Sequence, residues 1–187
     1  SKAVLAGAAE LDSVTLRPES WHAENNVDLV LGELAADVRA DAHELVLESG
    51  TALGYDSLLI ATGALPRHLD LVAGASNAHA LRTVDDAARL RDALSPGSHL
   101  VVIGAGFIGQ EVAATARGRG VEVTLLEALD APLVHVLGHE LGSWFAELHR
   151  SEGVDVRCGV TATETVRDAD GRITALVSGD GSTIPCD

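Results

Sequence analysis

The sequence predicts an α/β protein: a parallel sheet with a β-meander after it, and a further region in front of it. Three observations predict this. Residues 100–103 (LVVI) and 121–126 (VEVTLL) have the length and β-branching of buried parallel strands. The Ala-rich stretch 109–116 between them reads as a helix, ended by Gly118 and Gly120. Gly104, Gly106 and Gly109 mark the turn from the first strand into that helix. Residues 100–127 are therefore one βαβ unit.

The spacing of those glycines carries chemistry. Gly104 permits a tight turn out of the strand. Gly106 has no side chain, so a pyrophosphate can approach the backbone there. Gly109 lets the helix pack close against the sheet. Phe107 and Ile108 fill the two positions between Gly106 and Gly109 and are candidate cofactor contacts. Free N–H groups and the positive end of the helix dipole then face the phosphates. Glu127 stands 18 residues past Gly109, at the end of the second strand. A carboxylate there accepts hydrogen bonds from both ribose hydroxyls of an adenosine and repels a 2′-phosphate. Residues 128–137 contain no Arg or Lys to hold such a phosphate. Strand, glycines, helix, second strand and acid together point to a Rossmann-like, NAD-binding domain, with NAD favoured over NADP.

Taken in order, Arg17, Pro18 and Glu19 start a short helix over 19–25, with Trp21 on its apolar side and Asn25-Asn26 at its end. Residues 27–31 read as a strand and 34–38 as a further extended segment. Residues 44–48 alternate weakly and turn at Ser49-Gly50 into 51–53. Residues 57–61 read as another buried strand, followed by Thr62-Gly63-Ala64. Residues 67–81 are loop-like and form the candidate domain link. Thr83 or Asp85 caps a helix over 86–94, and Ser95-Pro96-Gly97 turns into the βαβ unit. After Glu127, residues 138–151 show a helical face of Leu141, Trp144, Phe145 and Leu148, which places Trp144 and Phe145 in the core. Residues 154–157 are the next parallel strand. Residues 161–166, 173–177 and 183–185 are short antiparallel strands, with Asp170-Gly171 and Asp180-Gly181 as turns.

Composition narrows the function classes. At 187 residues the chain suits one or two domains. A formal net charge of −15 argues against non-specific binding to nucleic acid or to an anionic membrane. No apolar run reaches the ~20 residues that span a bilayer. Cys158 and Cys186 form no C-x-x-C pair and no zinc pattern, so they read as buried free thiols in a reducing cytoplasm. His135 and His139 are four apart, but Gly138 intervenes and no third ligand is near, so no metal site is expected.

With these residues in hand, the chain resembles the ferredoxin and rubredoxin reductase branch of the FAD-dependent pyridine nucleotide–disulfide oxidoreductases. The matching segments are SKAVLAG, LRPESW, YDSLLIATGALPR, LRTVDDAARLRDAL, VVIGAGFIGQEVAA, LLEALDAPL and VLGHELGSWFAELHRSEGVDV. They cover nearly the whole length. The resemblance implies that Ala61, Thr62, Gly63 and Arg67 lie at the FAD pyrophosphate and adenosine, and that the Ala35 backbone meets the adenine. It implies that Lys2 sits beside the flavin N5 and that Glu111 pairs with it near the nicotinamide. Glu111 projects roughly 200° around the helix from Gly109, and a buried Lys2–Glu111 pair is the expectation. Residues 1–67 would then be a partial FAD-binding domain and 68–187 the NAD-binding domain. The family's first FAD glycine motif, its Gly-Asp return motif and its C-terminal domain have no counterpart here, which implies a fragment of a longer protein. Ala131 and His135 stand where relatives often carry arginine.

The implied activity is hydride transfer from NADH to FAD, then single electrons to an iron–sulfur ferredoxin or rubredoxin-type carrier. Arg82, Arg89 and Arg91 are the candidate basic patch for such a carrier. Two other readings stay open at this point: a pyridine nucleotide–disulfide reductase with its redox cysteines before Ser1, and a non-catalytic NAD-binding redox module.

Overall fold

In the computed structural model, which describes residues 2–187, the chain opens with a short helix, α1 (Lys2–Ala6), buried through Val4 and Leu5. It then divides into two compact units. Residues Thr15–Ala64 form the smaller one; Leu65–Asp187 form the larger, together with the N-terminal segment through Val14. Ser1 lies outside the described residues.

In the smaller unit, α2 (Glu19–Glu24) follows Pro18, and the Arg17 guanidinium lies 5.1 Å above the Trp21 ring. Three antiparallel strands follow in sequence order, β1 (Ala35–Arg39), β2 (Glu44–Leu47) and β3 (Ala52–Gly54). Gly50, with φ of 87°, makes the turn between β2 and β3. The strands expected at 27–31 and 57–61 do not form. Leu31 is 80% exposed and Leu59 86% exposed, so 57–61 is not buried either. A strand needs a neighbour to take its N–H and C=O groups, and among the described residues neither segment has one.

In the larger unit, α3 (Val84–Ala93) starts at a reciprocal cap. The Thr83 hydroxyl accepts from the Asp86 N–H, and the Asp86 carboxylate accepts from the Thr83 N–H. The Thr83 and Arg82 N–H groups, both donating to that carboxylate, hold the Asp86 carboxyl down at about 2. Then come β4 (His99–Ile103), α4 (Phe107–Gly118) and β5 (Glu122–Glu127). Next are α5 (Val134–Ser151) and β6 (Asp155–Cys158), and β4, β5 and β6 form a parallel sheet in that order. β5 is central, with Val123 through Leu126 all buried. The expected burial of β4 is only partial, because β4 pairs on one side alone and stands at the sheet edge. The meander is β7 (Ala162–Arg167), β8 (Ile173–Ser178) and β9 (Thr183–Pro185), antiparallel in sequence order.

One core joins α1, α3 and α4 to the sheet through Leu5, Leu90, Val112, Ala113, Val123 and Leu125. Arg119 bolts it from outside. One guanidinium nitrogen donates to the Leu5 carbonyl at 3.0 Å and another to the Leu94 carbonyl at 3.2 Å. It thereby satisfies orphan carbonyls near the ends of α1 and α3.

The apolar face expected on α5 is not the one that packs. Leu141, Trp144 and Leu148 are 50%, 56% and 41% exposed. The buried residues are Gly142, Ala146 and His149. A Cβ at Gly142 would lie 2.3 Å from the Pro132 carbonyl oxygen. At Gly142 the approach is so close that no side chain fits, and Leu141, Trp144 and Leu148 turn outward. Gly138, with φ of 78° and ψ of 170°, breaks α5 near its start. Cys158 and Cys186 are free and half-buried rather than buried. No helix among the described residues is long and apolar enough to cross a membrane.

His149 gives this core a pH dependence. Burial lowers its imidazole below the usual histidine range, and burial beside Arg89 lowers His79 in the same direction. The unfolded chain binds a proton near pH 6.5, while the folded chain resists it. The contribution is therefore present above that pH and is lost as pH falls. Urea unfolding at steps from pH 7.5 to 5 should show declining stability, with a shallower decline for His149→Gln. Equal slopes would exclude His149 as a source.

Candidate functional site

The turn from β4 into α4 is held at each of its peptide groups. The Gly104 N–H donates to the Leu126 carbonyl at 2.8 Å, extending the β4–β5 ladder by one rung. Gly104 has φ of 101°, a conformation that favours glycine. Ala105 is fully buried. Its N–H donates to Glu127 Oε2 at 2.8 Å, and its carbonyl accepts from Gln110 Nε2 at 2.9 Å. The Leu129 N–H donates to Glu127 Oε1 at 3.0 Å. The half-buried carboxylate is thus aimed by two backbone donors, and its remaining lone pairs can still accept.

The glycines divide the steric work. A Cβ on Gly109 would lie 2.0 Å from the Gly104 carbonyl oxygen, so Gly109 is required by the helix–strand contact. Gly106 has φ of −70° and would have nothing within 4 Å of its Cβ. The space above it is open. Phe107 and Ile108 flank that space, each 54% exposed. The first-turn N–H groups of α4 have no intrahelical acceptor and carry the positive end of the helix dipole. Open space, outward N–H groups and a fixed carboxylate at the next strand end suit a diphosphate joined to a ribose.

On the outer side of α4, Lys2 Nζ lies 3.0 Å from Glu111 Oε1. The pair forms as expected, but it is not buried: the side chains are 69% and 39% exposed. The reason is that α1 buries Val4 and Leu5, which turns Lys2 outward. At this exposure the pair contributes about 0–1 kcal/mol to stability, so its charges remain available to a ligand.

The other sequence candidates lie elsewhere. Ala35 sits in β1, and Ala61, Thr62 and Gly63 are exposed in the smaller unit. Gly63 has φ of 77°. The exposed Thr62 hydroxyl and Gly63 amide are donors of the kind that suit a diphosphate. Arg67 belongs to the larger unit and lines an open cavity of about 830 Å³ together with Gly104, Gly106, Phe107 and Ile108. Its guanidinium is exposed and can hold an anion in two-point contact. Arg89 and Arg91 of the candidate basic patch are paired with Asp86 and Asp92. His139 Nε2 lies 3.2 Å from Asp130 Oδ2. Among the described residues, no three His, Cys, Asp or Glu side chains come together to hold a metal ion. Cys158 pairs in register with Glu127, and burial pushes its thiol up. Sequence reasoning passed over Gln110. Its sequence neighbours, Gly109 and Glu111, do not single it out, yet it is 6% exposed in the fold.

The chain matches the family model of the pyridine nucleotide-disulphide oxidoreductases over residues 1–187. It is 40% identical over 189 residues to the ferredoxin–NAD(+) reductase component of the biphenyl dioxygenase system of Paraburkholderia xenovorans (strain LB400), covering 100% of this chain and 45% of that protein. It is 39% identical over 193 residues to putidaredoxin reductase of Pseudomonas putida, covering 100% of this chain and 46% of that protein. Among solved structures, the covalent putidaredoxin reductase–putidaredoxin complex superposes with a TM-score of 0.90 at 38% identity, over 100% of this chain and 46% of that one. The chain spans less than half the length of the curated relatives named here.

The two glycines should separate in a thermal melt. Gly109→Ala forces the helix off the strand and should lower stability by about 1–3 kcal/mol or more. Gly106→Ala adds a methyl to open space and should leave the melting temperature within about a degree or two of wild type. Equal losses would contradict the helix–strand contact described here.

Proposed function

Because this chain belongs to the pyridine nucleotide-disulphide oxidoreductase family, we propose that it carries the NADH site of an FAD-dependent NADH:ferredoxin (rubredoxin) reductase. The observation that carries the reading is the open space above Gly106, at the start of α4, beside a Glu127 carboxylate fixed by backbone donors. The relatives named above are ferredoxin and putidaredoxin reductases, which supports a small iron–sulfur carrier as the electron acceptor.

The roles at the α4 turn and Glu127 follow from the chain's own chemistry, and those at the flavin from its likeness to the family. The first-turn N–H groups of α4 bind the NADH pyrophosphate, and Glu127 accepts from the adenosine ribose hydroxyls. A 2′-phosphate would meet that carboxylate with no cation between 128 and 137 to offset it. Thr62 and Gly63 would hold the FAD diphosphate, with Ala61 against it and the Ala35 backbone at the adenine; Arg67 would offer its guanidinium to an anionic group of the cofactor. FAD, when bound, supplies the change from two-electron to one-electron transfer. Lys2 and Glu111 orient the nicotinamide and place a cation where negative charge accumulates on flavin reduction. Residues 1–67 serve the flavin and 68–187 the nicotinamide nucleotide, in a reducing cytoplasm where Cys158 and Cys186 stay thiols.

Anaerobic titration of the full protein tests this. NADH should bleach the flavin absorbance, and NADPH should do so at least about tenfold less efficiently. Glu111→Ala should slow flavin reduction far more than it weakens NADH binding. A flavin-free protein, or equal bleaching by both nucleotides, would refute the assignment.

A further inference from the structure

We infer that Gln110 is a positioning residue for the nucleotide site, aiming the Gly106 N–H at the bound pyrophosphate. The inference rests on the NADH reading above and deepens it.

The argument starts from peptide geometry. A trans peptide unit is planar, and its C=O and N–H point in opposite directions. The carbonyl of Ala105 and the N–H of Gly106 belong to one such unit. Gln110 Nε2 holds that carbonyl at 2.9 Å, in a buried hydrogen bond. The carbonyl is thereby drawn toward the core, and the Gly106 N–H of the same plane is turned the other way. That is the side where a Cβ on Gly106 would meet nothing. The preceding peptide unit is held separately: the Ala105 N–H donates to Glu127, and Glu127 is also held by the Leu129 N–H. Two adjacent peptide planes are thus locked by two different side chains. One lock serves the ribose carboxylate and the other serves the phosphate donor.

Gln110 is well placed to act as a lock. It is 6% exposed, and its own N–H donates to the Gly106 carbonyl at 3.0 Å within the helix. Its backbone and side chain therefore grip both residues of the turn. Without the amide, the Ala105 carbonyl loses its buried partner and the plane can rotate to seek another. The phosphate donor would then have to be reoriented in each binding event, which weakens affinity.

The test compares the wild-type full chain with Gln110→Met, which keeps the shape and removes the amide. ADP-ribose and its 2′-phosphate are titrated by calorimetry well below the melting temperature, and amide exchange is followed without nucleotide. The substitution is expected to weaken ADP-ribose roughly five- to tenfold and to speed exchange at Gly106 several-fold. The preference for ADP-ribose over its 2′-phosphate should be unchanged, because Glu127 keeps its own donors. A lowered melting temperature with unchanged affinity would show a merely structural role and overturn the inference. So would joint loss of affinity and 2′ discrimination. If wild type fails to bind ADP-ribose, the NADH reading falls and this inference with it; if wild type binds and the variant binds equally, only this inference falls. Should the variant not fold, wild type alone decides. ADP-ribose should shift the Gly106 amide resonance and leave the Gln110 side-chain amide in place, and movement of the Gln110 amide overturns the proposal.

Discussion

The contact between Gly109 and the Gly104 carbonyl governs the rest of the larger unit. No side chain fits between them, so the first turn of α4 sits directly against the end of β4. That closeness decides what every other residue of the helix can do. Gln110 is brought under the Ala105 carbonyl. Ala113 and Ala116 reach the core. Glu111 is carried round to the outer side, where Lys2 meets it. A wider helix–strand spacing would remove all of these relations at once. At the same turn Gly106 carries no side chain and faces open space, which leaves the backbone donors there uncovered.

The βαβ unit was the legible part of the sequence. Its signals are local: apolar runs, glycine spacing and an acid at the end of β5. The failures came where structure depends on what lies opposite. Residues 27–31 and 57–61 have strand composition, but a strand exists only with a partner. Trp144 marked the wrong face of α5, while Phe145 is half-buried, because periodicity shows that a helix has an apolar side without showing how near its neighbour stands. At Gly142 the neighbour is so near that glycine and alanine pack and tryptophan cannot. The mistaken burial of the Lys2–Glu111 pair has the same origin, since exposure is settled by the anchoring of α1 and not by residue type.

The candidate site was legible to different depths. Glycines and Glu127 followed from spacing, and in the fold the Glu127 carboxylate is held by the Ala105 and Leu129 N–H groups beside the turn. Lys2 and Glu111 are 109 positions apart, and nothing in either neighbourhood links them; only the likeness to a family put them together. Gln110 was invisible for another reason. Its importance lies in the direction of one peptide plane, which no residue pattern encodes.

Arg119 carries a consequence for the order of assembly. Its hydrogen bond to the Leu5 carbonyl joins positions 114 residues apart, whereas the β4–α4–β5 unit is built from contacts between near neighbours in sequence. Loop closure disfavours the distant contact until the surface receiving it is complete. The N-terminal helix should therefore dock late, onto a finished sheet and helix, and leave early when the protein is stressed. Lys2 would come and go with it. A protein organised in this way completes its Lys2–Glu111 pair only after the β4–α4 turn is formed, so a damaged turn would remain without its lysine.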